Sequence, residues 1–284
     1  MPRFDSFWTK KMEILILLST LLVLFSSSSC SDTNHILVLE CSADIKANLT
    51  NDYQINFNNL LDSLATNAPF NNGFYKAEFG KNSDKIYGVT QCRADLSTEN
   101  CAACIRIATL HRGCYTDSTR VSIWYKWCFL RYSNERFFGK WGPSAMAITN
   151  HTNFEDPNML SKTLNFMNDL VSTAPEQPLM FQTNVLDVGK YGKRYALAQC
   201  TRDLSRKECR KCFDYKLVIF RSTIGNKKQW HIFGYGCSMW YGDSQFYFNY
   251  TLPADKGGGG AVILPAEQFL IGMIIPVIMF LIIL

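Results

Sequence analysis

Cysteine is the residue type whose spacing in this chain could do chemistry. Cys92, Cys101 and Cys104 form one C-x8-C-x2-C run, and Cys200, Cys209 and Cys212 form a second. A Cys-x2-Cys step suits a zinc site, but the same thiols pair as disulfides in an oxidising compartment. The N-terminus decides between them. Arg3, Lys10 and Lys11 precede a short apolar run, Ile14 to Phe25, and then the small residues Ser26 to Ser29. That is the layout of a secretory signal peptide over residues 1–30. A signal anchor needs a longer apolar run, and Ser27 stands where a lipoprotein signal ending at Cys30 carries a bulky residue. Secretion makes disulfides the expected state and gives no reason to expect a metal.

Counting sharpens the expectation. The chain has 11 cysteines, and cleavage after Cys30 leaves an even set. Cys41, Cys92, Cys101, Cys104, Cys114 and Cys128 fall in the first half; Cys200, Cys209, Cys212 and Cys237 fall in the second. Aligning the halves sets Cys128 opposite Cys237 and Cys114 opposite Ser222, and leaves Cys41 without a counterpart. Joint loss of two cysteines is what the loss of one bridge produces, so Cys41 and Cys114 are expected partners. The remaining four in each half admit three pairings.

The elements that hold these cysteines occur twice as well. Tyr87 to Cys104 reads YGVTQCRADLSTENCAAC and Tyr195 to Cys212 reads YALAQCTRDLSRKECRKC. Both share a Gln before the first Cys and Asp-Leu-Ser after it. One framework in two copies means two domains, here residues 31–141 and 153–250 around a linker, 142–152. Phe57, Leu60, Leu61 and Leu64 recur at helical spacing, as do Leu160, Leu164, Met167, Leu170 and Val171, each run closing at Ala-Pro. Ser97 and Ser205 are N-caps, and Glu208 completes a capping box. The helix after Ser97 carries Cys101 and Cys104 on one face. Gly73 to Gly80, Lys85 to Arg93 and Lys190 to Cys200 read as strands. Arg120 to Tyr132 reads as one long strand, with Gln229 to Tyr241 and Gln245 to Tyr250 closing the second half. Hairpin-linked strands with helices imply α+β, helices on one face of an antiparallel sheet.

Composition narrows the function classes. With 47% hydrophobic residues, 19% charged and a net charge of +5, the chain is an ordinary globular protein, too mildly basic to engage nucleic acid. The basic residues between Lys190 and Lys211 read as a solvated face. No G-x-S-x-G, H-E-x-x-H or P-loop is present, and His35, His111, His151 and His231 are scattered, so neither catalysis nor a cofactor is expected. Asn48, Asn150 and Asn249 open N-glycosylation sequons. Residues 251–260 form a Gly-rich linker, and 261–284 form an apolar tail, a spanning anchor or a GPI-attachment signal. The expected place is the extracellular face of the plasma membrane, tethered at the C-terminus.

The doubled C-x8-C-x2-C, with its Tyr-x3-Gln-Cys and Asp-Leu-Ser context, resembles the plant ginkbilobin-homologous, or stress-antifungal, cysteine-rich domain family over roughly residues 33–250. The resemblance implies a five-stranded antiparallel sheet with two helices in each copy. It also implies the pairings Cys92–Cys101, Cys104–Cys128 and Cys41–Cys114, then Cys200–Cys209 and Cys212–Cys237. It suggests a receptor-like binding module in cell-wall or defence signalling, with a cell-wall carbohydrate or an extracellular protein as ligand and with homo- or hetero-oligomers allowed. A secreted antifungal lectin and a plasmodesmal interaction protein are the alternatives. The family's mannose site uses an Asn, an Arg and a Glu. The corresponding positions hold Ser42, Arg120 and Ser133, with the Arg two residues further from Cys128 than in the family pattern, and Gly242 replaces the Glu in the second copy. Neither copy is expected to bind free mannose well.

Overall fold

The computed structural model describes residues 33–41, 49–111, 118–154, 156 and 158–249. The segment 1–30 read as a signal peptide, Ser42, Asn48, Cys114 and the apolar segment 261–284 lie outside the described residues.

The first half contains β1 (Ile36–Cys41), α1 (Asn51–Asn67), β2 (Phe74–Phe79), β3 (Ile86–Cys92), α2 (Thr98–Leu110), β4 (Arg120–Tyr125) and β5 (Cys128–Ser133). The second repeats the order with β6 (Met146–Thr149), α3 (Met159–Thr173), β7 (Phe181–Asp187), β8 (Lys193–Cys200), α4 (Arg206–Ile219), β9 (Trp230–Phe233) and β10 (Cys237–Gly242). Each half forms a five-stranded antiparallel sheet, ordered β1-β4-β5-β3-β2 and β6-β9-β10-β8-β7, so the fold is α+β in two copies. Ser97 and Ser205 cap α2 and α4 by accepting the N–H of Asn100 and Glu208. Glu208 does not return the bond; its carboxylate takes Lys211 and the Trp141 indole instead.

The structure corrects three parts of the sequence reading. The long strand from Arg120 to Tyr132 is a hairpin that turns at Lys126-Trp127. No Gly, Pro or Asn punctuates that turn, so the sequence hides it. Likewise Gln229 to Tyr241 is the β9–β10 hairpin, and residues 245–249 form no strand. The stretch 142–152 is more than a linker: β6 lies in it and pairs with β9 as an edge of the second sheet.

Period-two alternation divides each sheet into two faces. In the first, Ile86, Val121, Ile123 and Leu130 meet Leu60, Leu61 and Leu64 of α1 and Ile105 of α2. Gly88 lets α1 come close, since a Cβ there would sit 2.8 Å from a Leu60 methyl. The disulfides Cys92–Cys101 and Cys104–Cys128 tie α2 to β3 and β5, and Cys200–Cys209 and Cys212–Cys237 tie α4 to β8 and β10. Cys41 is disulfide-bonded as well.

The other face of the first sheet is buried against the second half. Val89, Trp124 and Phe129 pack with Phe233, and the Trp124 ring lies 5.6 Å from Phe233 and 5.7 Å from Tyr235. Polar groups repeated in the motif lock this junction reciprocally. The Gln91 amide donates to the Cys200 carbonyl at 2.8 Å, and the Gln199 amide donates to the Cys92 carbonyl at 3.0 Å. Asp95 accepts the Phe248 N–H at 2.7 Å, and Asp203 accepts the Gly139 N–H at 2.8 Å. The Gln and Asp common to both motif copies are therefore docking groups, each reaching the other domain. They satisfy backbone polar groups that the apolar contact would otherwise strand.

Candidate ligand-binding cavity at the domain junction

The residues that the resemblance singles out are placed by the β4–β5 ladder. Arg120 stands directly opposite Ser133, and Ser122 opposite Arg131. Ser133 is buried, and its hydroxyl accepts the Glu135 N–H at 2.9 Å. The Arg120 guanidinium approaches the Glu135 carboxylate at 3.6 Å. Compared with the family pattern, the Arg is two residues back along β4 and a Glu lies two residues beyond Ser133. In an antiparallel hairpin both shifts lead away from the turn, and Glu135 lies past Ser133, the last residue of the ladder. An Arg–Glu pair thus stands at the far end of the hairpin. Residue-by-residue comparison registers it as a loss.

These residues line a cavity of about 420 Å³. Its described lining comes from β1 (Glu40), β4 (Arg120, Ser122), β5 (Arg131, Ser133), the segment that follows (Glu135, Arg136, Phe137) and Tyr235 of the second half. Arg131 is the central cation. Its guanidinium lies 4.1 Å from the Phe137 ring centre and 3.9 Å from that of Tyr235, in cation–π contact with both. Burial pushes its pKa down, offset by the fields of Tyr235, Asp203 and Glu40. Among the described residues it has no hydrogen-bond acceptor and no carboxylate in ion-pair contact. Glu40 keeps one carboxylate oxygen, Oε2, buried without a partner. Burial, then a hydrogen bond with Glu40, pushes the Tyr235 phenol up to about 12, so it stays a neutral donor.

The sequence reading missed Glu40, Arg131, Glu135 and Tyr235. The run ILVLEC over Ile36–Cys41 carries a strand signal that would have found Glu40. Arg131 and Tyr235 belong to the site only through the hairpin turn and the docking of the second half, which no local pattern records. Of the glycosylation candidates, Asn249 is exposed and Asn150 is half-buried with its Oδ1 unpartnered.

The same place in the second half holds an aromatic stack, beside a smaller cavity of about 80 Å³ that His231 and Trp240 help to line. Aligned on Cys128 and Cys237, Arg131 corresponds to Trp240, Ser122 to His231, Ser133 to Gly242 and Phe137 to Phe246; strand pairing sets Glu40 against Ile148. Trp240 stacks between His231 at 4.6 Å and Phe246 at 4.4 Å, with Lys126 and Arg93 of the first half within 6 Å of its ring centre, at 5.9 and 5.7 Å. Burial, then the nearby Arg93 charge, pushes the His231 imidazole down to about 3, so this stack is neutral.

Comparison with known proteins agrees with this architecture. The model of the salt stress response/antifungal family matches residues 40–135 and again 146–244. An antimicrobial ginkbilobin-2-like protein of Castanea crenata is 31% identical over 204 residues, 71% of this chain and 84% of that one. The cysteine-rich repeat secretory protein 38 of Arabidopsis thaliana is 29% identical, covering 80% of this chain and 92% of its own. The cysteine-rich receptor-like protein kinase 7 of the same plant is 30% identical over 63% of this chain, which is 28% of the kinase. The tandem DUF26 ectodomain of the Arabidopsis receptor-like protein PDLP8 has the same fold, with a TM-score of 0.63 over 74% of this chain and 98% of that structure at 23% identity. Two matched segments on one cysteine framework place the chain in the salt stress response/antifungal family, as a tandem extracellular-type domain of the cysteine-rich secretory and receptor-like proteins.

Proposed function

We propose that the protein is a non-catalytic extracellular binding module that takes its ligand in the first-half cavity and works in cell-wall or defence signalling. One observation carries this reading: an open charged cavity lies at the junction in one copy, while an aromatic stack occupies the same place in the other. Small-ligand sites are concave, with a few convergent polar groups against rings, and this cavity has that composition. The signal peptide carries the chain into the secretory pathway, and the apolar tail tethers it to the outer face of the plasma membrane. Receptor-like relatives support extracellular recognition of a carbohydrate or a protein.

The test is a screen of immobilised glycans and plant extracellular proteins with the full chain in mild detergent, wild type beside Tyr235→Ala and Arg120→Ala. The proposal expects a ligand whose signal falls at least tenfold in both variants. A ligand untouched by either change places recognition elsewhere on the molecule.

The Castanea relative, named for antimicrobial action, favours a second reading, a secreted antifungal protein. The tail discriminates. Deleting 261–284 should release a tethered protein from membranes into the medium, whereas a secreted one is already soluble at full length.

A further inference from the structure

The chemistry of the cavity narrows the ligand class, and the narrowing rests on the binding reading above. An arginine held against two rings offers a ligand its in-plane N–H groups. Arg131 is held that way by Phe137 and Tyr235, and no described residue accepts from it. In an empty cavity water serves those donors. A planar carboxylate matches the guanidinium fork with two parallel bonds, stronger than bonds to a neutral hydroxyl.

Glu40 adds a second demand. Its unpartnered Oε2 is an acceptor lining the same cavity, and a ligand hydroxyl satisfies it. A dianion beside that carboxylate is repelled, which disfavours phosphate esters. Ser133, whose oxygen already accepts the Glu135 N–H, still has its own proton to donate. Arg120 and Arg136 line the cavity too, so three guanidiniums face two carboxylates.

We propose that the first-half cavity binds an acidic sugar unit, a monocarboxylate on a hydroxylated ring, with the carboxylate on Arg131 and a ring hydroxyl on Glu40. The cavity's 420 Å³ is within the size of small-ligand sites, so one such unit can enter without moving the domains. Trp240, at the position equivalent to Arg131, gives the second half no charge to offer a carboxylate.

Calorimetry on the full chain in mild detergent, with D-glucuronate, D-glucose and inorganic phosphate as probes at millimolar concentration, tests the assignment. Glucuronate should bind, glucose at least tenfold more weakly, and phosphate no better than glucose. Arg131→Met should cost glucuronate tenfold or more. Should that variant fail to fold, Arg131→Lys, which keeps the charge and loses the fork, should weaken glucuronate severalfold. Glu40→Gln should admit phosphate by removing the repulsion. Glucose binding as well as glucuronate, or glucuronate binding unaffected by Arg131 changes, overturns the proposal. If glucuronate gives no heat while a ligand from the screen is lost on Tyr235→Ala, the acid assignment falls and the binding module stands. If no ligand responds to any cavity change, both fall.

Discussion

The two halves share fold, two equivalent disulfides each and docking groups, and they part most sharply at one place. Around Arg131 the first half keeps a charged cavity; around Trp240 the second half stacks His231, Trp240 and Phe246. A few exchanges on one sheet face separate the two outcomes: Glu40 for Ile148, Ser122 for His231, Arg131 for Trp240. None of them touches the helix-side core or the Gln and Asp docking groups. These exchanges leave the Gln and Asp docking groups in place, while Tyr235 both packs on Trp124 at the junction and lines the cavity. The charges of Lys126 and Arg93 lie over the stacked position, and the Tyr235 ring over the open one. Each half completes the other's pocket wall.

The largest expected effect is at the shared face. Trp124 is buried among Phe129, Phe233 and Tyr235, so Trp124→Ala should cost about 3–5 kcal/mol in denaturant unfolding. With the halves uncoupled, the single cooperative transition should split in two. A split is not expected for Ile107→Ala, since Ile107 is exposed on α2.

The Asp pair is next, and it is unequal. Asp95 accepts from Arg93 at 2.7 and 2.9 Å, both buried, as well as from the partly buried Phe248 N–H. Asp203 accepts the Gly139 N–H and leaves its Oδ1 unpartnered, for Thr201 stands where the first half has Arg93. Asp95→Ala removes the carboxylate that pairs with a buried guanidinium and should cost about 3–5 kcal/mol. Asp203→Ala should cost about 1–3 kcal/mol, the loss of one buried bond. Equal losses would mean that the Arg93 partnership contributes nothing.

Lys216 of α4 offers a pH comparison, because the first half has Ala108 at the equivalent position. Its amine donates to the Ser144 carbonyl at 2.7 Å, and burial pushes its pKa from 10.5 down to about 8. The unfolded chain then binds the extra proton between pH 8 and 10.5, so this group adds stability as pH rises through that window and loses it as pH falls through about 8. Its contribution over the window is roughly 3 kcal/mol at about 1.4 kcal/mol per unit. The stability difference between wild type and Lys216→Met should grow in wild type's favour from pH 7.5 to pH 9.5. A flat difference contradicts the shift.

The Gln docking groups should show the smallest asymmetry. Gln91 donates to the Cys200 carbonyl and accepts the Arg202 N–H, while Gln199 makes the Cys92 bond. Both Gln→Ala changes fall in the range of about 1–3 kcal/mol, with Gln91→Ala the costlier. A double-mutant cycle measures their coupling across the junction.

How far the sequence reaches can be judged at particular residues. Helices capped by Ser97 and Ser205 and closed at Ala-Pro were legible because their signals are local. The repeat announced two domains because its spacing is strict. Strand β1 was legible in the run ILVLEC though it went unread, whereas the Lys126-Trp127 turn was not legible because it lacks any turn residue. Arg120 and Ser133 could be picked out from the sequence and both line the cavity, but the residues around them lie on β1, β5 and the other half. The shared Gln and Asp were visible as repeated letters. Their role needs the docked arrangement, since each acts on the domain that does not contain it.

The most direct test of the account is a crystal structure of the full chain soaked in D-glucuronate. The account predicts density for one sugar acid, its carboxylate on the Arg131 fork and a hydroxyl on Glu40, with the Trp240 stack undisturbed. A sugar seated on Trp240, or a cavity left empty while glucuronate occupies another face, would contradict it.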